Sequence, residues 1–383
     1  MTTIERRCAP TRGRTTGPLR VCFVLAYRAP DYIRGRSICA ALRASDRIEL
    51  IEARNKSRGL ARYWQSIHAL LHARRHHDPD VYLLGFRGHE IAWLVRWLTR
   101  GRPLVIDALM SPYASLSEES KFGWIGRALT HAWRPYERAI LHASDGVLTD
   151  TEGHAGYYRS RFGLPAARLL AVPVGAEEHV TTEVPDTAHR PSEPLRVLFY
   201  GSFLPLHGVD VILAAASRLT EQPIEFRFIG GTRAQAAWLA RRCDSLGITR
   251  YTHALWIAFE RIVAEEIPNA DLCLGGPFGG TPQARRVVTG KTSQCMALGR
   301  PTVVGGIPED NGFIDRSNCL MVEQGDPDAL AAAIRWAHAN RGALDDIGER
   351  GRTLYQERLS RDAIRAALVP FLERLATGCE KPA

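Results

Sequence analysis

The sequence predicts an α/β protein made of two doubly wound domains, each with a mostly parallel sheet. Three observations lead to this prediction: the length of the chain, the alternation of short apolar segments with helical ones, and a polar segment between two such series. At 383 residues the chain is longer than most domains with a single hydrophobic core, so two domains are expected. Strands that alternate with helices form βαβ units, whose helices cover both faces of a parallel sheet.

The first series spans residues 19–175 and follows a polar segment, 1–18, that we expect to be a disordered tail. Short apolar runs predict its strands, and longer periodic segments predict its helices. The predicted strands are Leu19–Tyr27, Ile48–Ile51, Val81–Leu84, Leu104–Asp107 and the apolar part of SDGVLTDT at 144–151. The predicted helices are Gly35–Ala44, Leu60–Arg75, Glu90–Leu98 and Gly123–Ala143.

Residues 176–194 interrupt this alternation and predict a linker, because they are polar, contain three prolines and lack periodicity. A second series covers 195–365, with apolar runs in LRVLFY, IEFRFIGG, NADLCLGG and PTVVGG, and a C-terminal helix and tail follow at 366–383. Two such domains would leave a central cleft between their facing strand ends, which is a suitable place for a substrate.

Composition limits the classes of partner. The net charge of +9 and the isoelectric point near 9.3 favour anionic partners, such as nucleotide sugars or an acidic membrane face. The excess arginines are spread along the chain without a basic tail, so we expect no nucleic-acid partner. The eight cysteines form no CxxC pair, a pattern typical of buried thiols in a reducing compartment rather than of a disulfide frame or a zinc site.

The sequence predicts a cytoplasmic protein. Residues 1–18 lack the apolar core of a secretory signal, and no stretch reaches the roughly 20 apolar residues that cross a bilayer. Peripheral contact with the inner face of the cell membrane stays open, because RYWQSIHALLHARRHH and IAWLVRWLTRGR combine basic and aromatic residues as interfacial helices do. The alternative places Trp93, Leu94 and Trp97 in the core.

Four histidines in the first of these segments could suggest a metal site. His68, His72 and His76 share one face of the predicted helix, with His77 beside them. No cysteine or carboxylate cluster accompanies them, so we expect a solvated basic face and no bound metal.

The segment LRVLFYGSFLPLHGVDVILAAASRL, at 195–219, is the most informative of the chain. It predicts a buried strand, a loop from Gly201 to Gly208, and an amphipathic helix. In open α/β sheets ligands bind at the carboxyl ends of strands, and a helix N-terminus there suits phosphate oxygens. An ordinary βα loop is the alternative interpretation of this segment alone.

Four segments in order resemble family 4 glycosyltransferases. ASDGVLTDTEGH and FGLPAARLLAVPVGAEEHV resemble the end of that family's N-terminal domain, and FYGSFLPLHGVDVIL resembles its phosphate loop. SQCMALGRPTVVGGIPEDNGFIDRSNCLMVEQGDPDALAAAI resembles its E-A-M-A-x-G-x-P-V-V run and the motifs after it. The resemblance implies the GT-B fold and transfer of a sugar, with retention of configuration, from a nucleotide-diphosphate donor to a hydroxyl acceptor. It implies no cofactor and no metal.

The resemblance places the donor mostly on the second domain. The diphosphate is expected between the Gly201–Gly208 loop and Lys291, the ribose near Gln294, and the donor sugar near Gly279–Thr281. Lys291 and Gln294 are three residues apart on one face of a predicted helix, and a solvated helix face is the alternative. The expected donor-binding residues are Gly201, Ser202, His207, Gly208, Gly279, Gly280, Thr281, Arg286, Lys291 and Gln294.

This chain departs from the family pattern at the donor site. Ser202 and His207 replace the arginine and lysine of the phosphate loop, and Arg286 and Gln294 stand where the family has its E-x(7)-E pair. The F-Y-G-S-F-x-P-L-H-G form resembles a bacterial subgroup, so we interpret the departures as a variant donor site. The alternative is a noncatalytic GT-B protein that senses or scaffolds by binding nucleotide or glycan without turnover.

The first domain is expected to supply the acceptor side. His89 follows a predicted strand in LGFRGHE, and Asp107, Ser111 and Tyr113 follow another in LVIDALMSPY. We expect His89 and Lys291 to be the catalytic residues, with His89 bonding the donor sugar or a leaving oxygen. A polar helix cap is the alternative role of His89. The acceptor is expected to be a carbohydrate, a lipid-linked sugar or a small molecule.

Overall fold

The structure is a computed structural model that describes residues 17–117, 123–178, 194–309 and 311–378. It divides into two compact units, one with the described residues up to Pro173 and from Arg361 onward, the other from Val174 to Ser360. Most of the expected tail (1–16) and of the expected linker (179–193) lies outside the described residues. Each unit contains a six-stranded parallel sheet flanked by helices, which confirms the predicted doubly wound class.

The first unit follows the predicted alternation of strands and helices. Its strands are β1 (Leu19–Leu25), β2 (Ile48–Arg54), β3 (Val81–Leu84), β4 (Leu104–Asp107), β5 (Gly146–Thr149) and β6 (Leu169–Ala171), in the sheet order β2-β1-β3-β4-β5-β6. Its helices before the second unit are α1 (Ile33–Arg43), α2 (Ala61–His77), α3 (Ala92–Leu98), α4 (Pro112–Ser117), α5 (Gly123–Ala143) and α6 (Glu152–Phe162). The expected helix 90–98 begins instead as a 3-10 turn at Gly88–Ile91 and becomes α-helical at Ala92.

The C-terminal helix α13 (Arg361–Thr377) packs in the first unit, although it begins 190 residues after Ala171, the last residue of β6. Ile364, Leu368, Phe371 and Leu372 join a core that also contains β1 and α1 side chains. The expected boundary at residue 365 falls inside this helix. Burial of these apolar side chains against the sheet explains why the chain returns.

The second unit is built in the same way. Its strands are β7 (Leu195–Tyr200), β8 (Ile224–Ile229), β9 (Tyr251–Ala254), β10 (Leu272–Gly276), β11 (Thr302–Gly305) and β12 (Leu320–Val322), in the order β12-β11-β10-β7-β8-β9. Its helices are α7 (Val209–Ala216), α8 (Arg233–Ser245), the short α9 (Phe259–Arg261) with a π-helical continuation to Glu266, α10 (Gly290–Ala297), α11 (Pro327–Ala339) and α12 (Leu344–Leu354).

The order of strands reverses direction between β7 and β10. From β7 the chain moves outward to β8 and β9, and from β10 it moves outward to β11 and β12. Loops at such a switch point diverge and leave a crevice at the carboxyl ends of the two strands. The loop after β7 begins at Gly201, and the loop after β10 begins at Pro277.

These two loops pack backbone against backbone. The Gly279 N–H donates to the Leu206 carbonyl at 3.0 Å, and a Cβ atom at Gly279 would lie 2.0 Å from the Pro205 carbonyl oxygen. Gly208 has a φ of 65°, and a Cβ there would lie 2.5 Å from the Gly279 nitrogen. Only glycine permits this approach at both positions.

A buried ion pair ties the first unit together at the carboxyl end of β4. Arg34 and Asp107 are fully buried side chains joined at 3.0 Å, and the Arg34 guanidinium also donates to the Thr149 carbonyl at 3.1 Å and to the Pro173 carbonyl at 3.0 Å. One side chain of α1 therefore connects the ends of β4 and β5 with the segment after β6.

Replacing Asp107 by Asn should lower the free energy of unfolding of the first unit by about 3–5 kcal/mol, because it leaves a buried guanidinium without its counter-charge. The matched control is Arg43→Gln, which breaks a partly exposed ion pair with Glu52 in the same unit and should cost at most about 1 kcal/mol. Urea denaturation followed by circular dichroism measures both. Equal losses for the two variants would contradict the prediction.

Replacing Gly279 by Ala should destabilise the second unit by at least about 1–3 kcal/mol, because the new methyl group would overlap the Pro205 carbonyl and separate the loops. Gly280→Ala is the control, since its nearest neighbour would be Gly325 Cα at 3.6 Å and the shift should stay within about 0.5 kcal/mol. Thermal unfolding of the two variants measures the difference. An unchanged melting temperature for Gly279→Ala would contradict the prediction, because it would show that the two loops can separate without loss of stability.

Candidate functional site

The switch point of the second sheet brings three predicted donor residues together. A Cβ atom at Gly201 would lie 3.6 Å from Lys291 Nζ and 3.9 Å from His207 Cε1. Gly201 directly follows β7, His207 closes a 3-10 turn at Pro205–His207, and Lys291 lies in the first turn of α10. The structure therefore places a cation and an imidazole beside a glycine backbone.

Hydrogen bonds to the end of β10 position α10. Thr289 caps the helix by accepting from the Thr292 N–H, and its hydroxyl donates to the Gly275 carbonyl at 2.7 Å. The Thr292 hydroxyl donates to the Gly276 carbonyl at 3.3 Å. The first turn of α10 is thus attached to the strand end, which fixes the direction in which Lys291 leaves the helix.

Lys291 is a buried amine. Its side chain is 8% exposed, and Nζ lies 5.6 Å from the centroid of the Phe199 ring. Burial lowers the pKa of Lys291 from 10.5 to about 7, an effect that the nearby Cys295 partly opposes. An anion bound at the switch point would raise this pKa again, because it stabilises the charged form.

His207 is neutral in the unliganded structure. Its Nδ1 bonds to the Ser202 carbonyl and must therefore carry the proton, which leaves Nε2 as a hydrogen-bond acceptor. Burial first, and then the charge of Lys291, lower the pKa of His207 to about 3, whereas the bond to Ser202 opposes them. A charged imidazole is thus not the state of the free protein. Its protonation needs a bound anion strong enough to overcome both effects.

Gln294 lies one turn after Lys291 on α10 and is 1% exposed. Its carbonyl oxygen accepts the Glu177 N–H at 2.7 Å. Its amide nitrogen is buried and has no hydrogen-bond partner among the residues that the structure describes. Gln294 therefore keeps two donor hydrogens for a ligand, while its oxygen holds the backbone of Glu177.

The remaining predicted donor residues lie on loops of the same unit. Gly280 is exposed, and the Thr281 hydroxyl accepts from the Ala284 N–H at 3.2 Å, which starts a 3-10 turn at Ala284–Arg286. Arg286 lies in this turn, before the helix that carries Lys291. Ser202 is exposed, and its backbone carbonyl accepts the hydrogen bond from His207 Nδ1.

In the first unit, His89 lies at the switch point of the first sheet, as Gly201 and Lys291 do in the second. The strand order reverses between β1 and β3, and His89 follows β3 in the turn Gly88–Ile91. It is 2% exposed, and its Nε2 has no hydrogen-bond partner among the described residues. Burial, together with the charge of Arg87, lowers the pKa of His89 to about 4, so its imidazole is neutral.

The predicted acceptor-side residues are engaged within their own unit. Asp107 pairs with Arg34, and the Ser111 hydroxyl donates to Glu137 at 3.0 Å. Tyr113 donates its backbone N–H to Glu137 at 2.9 Å and accepts a bond from Arg161 at its hydroxyl. These contacts are structural, and an acceptor role for the three residues stays a prediction.

Sequence reasoning missed Glu137 and the pair Asp150 and His154. Glu137 is fully buried, and burial raises its pKa to about 7 in spite of its bonds from Tyr113 and Ser111. His154 Nδ1 lies 2.7 Å from Asp150 Oδ1, and both side chains are buried. Glu137 precedes the buried Ile140 and Leu141 by three and four positions and therefore shares their apolar face of α5. An acidic residue on an apolar helix face is the signal by which the sequence could have revealed this buried carboxyl group.

Two further properties of the described residues bear on function. Across 17–117, 123–178, 194–309 and 311–378, no three His, Cys, Asp or Glu side chains group as metal ligands would. Within those same ranges, no helix combines the length and apolar character needed to span a bilayer. His68, His72 and His76 all lie on the exposed side of α2.

Comparison with protein families matches residues 194–340 to the model described as Glycosyl transferases group 1. A search of curated proteins gave no match.

Solved structures resemble the whole chain at low identity. A sucrose-phosphate synthase from Thermosynechococcus elongatus has a TM-score of 0.73 at 15% identity, with 94% of this chain and 100% of that chain covered. Anabaena HepE in complex with UDP-glucose has a TM-score of 0.67 at 13% identity, covering 94% and 99%. The apo form of the lipopolysaccharide outer core galactosyltransferase WaaB has a TM-score of 0.62 at 14% identity, covering 93% and 99%.

These likenesses, together with the two parallel six-stranded sheets, establish the two Rossmann-like domains of the GT-B fold that the sequence predicts. The switch-point loops, Lys291 and Gln294 all lie within the segment 194–340 that matches the group 1 glycosyltransferase model.

Proposed function

We propose that this protein is a family 4-like glycosyltransferase that moves a sugar from a nucleotide-diphosphate donor to a hydroxyl acceptor. The convergence of Gly201, His207 and Lys291 at the switch point of a group 1 glycosyltransferase domain carries this proposal. The proposal includes retention of configuration and a variant donor site of the bacterial subgroup type. It includes no metal ion and no cofactor, because protein cations would offset the phosphate charge.

In the proposed reaction the bond between the anomeric carbon and the diphosphate oxygen breaks. A bond from the acceptor oxygen to that carbon forms, and the acceptor hydroxyl loses its proton. Negative charge accumulates on the departing diphosphate. Preorganised donors and cations that face this charge lower the barrier without reorganising at the moment of reaction.

Lys291 is proposed to meet that charge. A lysine with a pKa of about 7 is only partly charged in the free protein at neutral pH, so the diphosphate would draw a proton onto it. The backbone of Gly201–Gly208 would approach the phosphates directly, since no side chain projects at its two ends. His207 would be protonated only with the diphosphate in place, because burial and then the charge of Lys291 lower its pKa in the free protein.

Gln294 is proposed to bond a ribose hydroxyl through its amide hydrogens. Gly279, Gly280 and Thr281 would lie beside the donor sugar, and Arg286 would add positive charge. On the acceptor side we propose His89 as the catalytic group, because its unpartnered Nε2 is available to bond the donor sugar or a leaving oxygen.

The structural relatives suggest the first donors to test. HepE was crystallised with UDP and with UDP-glucose, another relative is named a sucrose-phosphate synthase, and WaaB is named a lipopolysaccharide outer core galactosyltransferase. We propose a UDP-hexose donor, and a carbohydrate, lipid-linked or small-molecule acceptor.

Thermal unfolding with UDP, GDP, ADP, dTDP and NAD, each alone, tests the donor. One nucleoside diphosphate should stabilise the protein by about 2.7 kcal/mol at roughly 100 times its dissociation constant. This corresponds to a rise of a few degrees in Tm. NAD should have no effect, and silence across the panel would overturn the proposal.

Turnover separates the enzyme from a noncatalytic sensor or scaffold. That alternative is favoured by Arg286, which stands where the family pattern has a carboxylate, and by the Gln294 oxygen already held by Glu177. Release of nucleotide from the matching nucleotide sugar, measured with a panel of acceptors, supports the enzyme. Tight binding without release supports the sensor.

The affinity for UDP-glucose should fall as the pH rises above about 7. Below that pH Lys291 is charged with or without ligand, so it adds no pH dependence to the affinity. Above it the free protein must take up a proton to bind, which costs up to about tenfold in affinity per pH unit until the raised pKa of the complex is reached. UDP-glucose is the probe because its diphosphate has no ionisation in this range.

Lys291→Arg is the matched control, because arginine stays charged and removes the contribution of Lys291 to the pH dependence. Lys291→Met should bind at least about tenfold more weakly at pH 6.5 and lose the same contribution to the slope above pH 7. Isothermal titration calorimetry between pH 6 and 9 measures all three proteins. An unchanged slope in Lys291→Met would remove Lys291 from the site.

A further inference from the structure

Helices α2 and α3 present large aromatic side chains to solvent on one face of the first unit. Trp64 of α2 is 74% exposed, and Trp93 and Trp97 of α3 are 45% and 54% exposed. Leu71 and Leu94 are exposed beside them. The alternative in which Trp93, Leu94 and Trp97 form core is therefore wrong, and these side chains need another explanation.

The opposite sides of both helices are buried, so this face is rigid. Leu70 and Ala73 of α2 share a core cluster with Ala92, Val95 and Leu98 of α3. The Arg74 guanidinium of α2 also donates to the Leu98 carbonyl of α3. The exposed aromatic residues are thus held on a fixed surface, which we call the α2–α3 face.

The α2–α3 face is cationic. Neither helix contains an acidic residue, and Arg75 and Arg100 are exposed. The Arg100 guanidinium lies 5.7 Å from the centroid of the Trp97 ring. The exposed residues of α2 recur every three or four positions at Trp64, His68, Leu71, His72 and Arg75, and therefore share one side of the helix.

The acidic residues that border this face already have cationic partners. Glu90 pairs with Arg62, Asp145 with Arg96, and Asp78 with Arg102. Their charges are locally compensated, so the positive charge of the face is not cancelled at its edges.

A depression of about 540 Å³ opens between α3 and the C-terminal part of α5. Trp93, Trp97, Arg96, Arg100 and His142 line it. An apolar wall combined with arginines suits a ligand that is apolar at one end and anionic at the other.

We propose that the α2–α3 face docks the protein on an anionic lipid bilayer. Tryptophan favours the interfacial zone of membranes, and arginines near an anionic leaflet each contribute to binding. A lipid surface offers phosphates for the arginines directly above the apolar chains that suit the tryptophans, which matches the interleaving of these residues on two adjacent helices. This inference is independent of the proposed glycosyl transfer, since it concerns lipid binding alone.

Co-sedimentation of the full chain with vesicles tests the proposal. The vesicles contain phosphatidylcholine alone, or equal parts of phosphatidylcholine and phosphatidylglycerol. Wild-type protein should bind the anionic vesicles at low salt, bind neutral vesicles far more weakly, and be released by high salt because the charges are screened.

Two double variants separate the apolar and the ionic contributions. Trp93→Ser with Trp97→Ser should lower the partition coefficient at least about tenfold. Arg75→Gln with Arg100→Gln should lower it about 25-fold, from about fivefold per arginine. The matched control is Trp256→Ser, which removes a tryptophan that is 78% exposed in the second unit and should bind as wild type does.

Circular dichroism and thermal unfolding establish that each variant is folded. Light scattering gives the oligomeric state without lipid. Equal lipid binding by all variants would overturn the proposal, as would equal binding to neutral and anionic vesicles. A wild-type dimer that Trp93→Ser with Trp97→Ser converts to monomers would also overturn it, and would assign the face to a second copy of the chain.

Discussion

Direct contact between the backbones of two loops is the constraint on which the donor site depends. At the switch point, Gly208 and Gly279 leave no space for side chains, and the Gly279 N–H bonds across to the loop after β7. This contact draws the ends of β7 and β10 together over a shared crevice. The same contact sets where Gly201 and His207 lie relative to α10, which is attached to the end of β10 by Thr289 and Thr292.

The electrostatics of the crevice follow from that packing. The close loops bury Lys291 and shift its pKa toward neutrality, and burial together with the charge of the lysine keeps His207 uncharged. A site of this kind holds little net charge when empty and becomes cationic as an anion enters. The departures from the family pattern at Ser202 and His207 fit this arrangement, because a second permanent cation beside Lys291 would be repelled.

Much of the fold was predictable from local sequence pattern. The strands Val81–Leu84 and Leu104–Asp107 and the helix Gly123–Ala143 occur with the predicted bounds, because each is a clear apolar or periodic run. The switch from strand to helix after β3 was misplaced, since Gly88 and His89 form a 3-10 turn that periodicity does not reveal. The return of α13 to the first unit depends on contacts between residues far apart in sequence, which no local pattern encodes.

Residues of the candidate site were proposed where spacing along one element or a loop motif indicates them. Lys291, Gln294 and the glycine loops came from the family resemblance, the loop pattern and a separation of three residues on one helix, and their role in donor binding stays a prediction. Arg34 and Glu137 were missed, because each depends on burial and on partners from other elements. Long-range burial is therefore the part of this site that sequence alone leaves undetermined.

The placement of α13 has a consequence for synthesis on the ribosome. The first unit consists of two stretches of chain, and its core is incomplete until Ile364, Leu368 and Phe371 have been made. Nearly the whole chain must be translated before that apolar surface is covered. The second unit, in contrast, is one continuous stretch and can complete its core first, so the order of folding is the reverse of the order in which the two units begin.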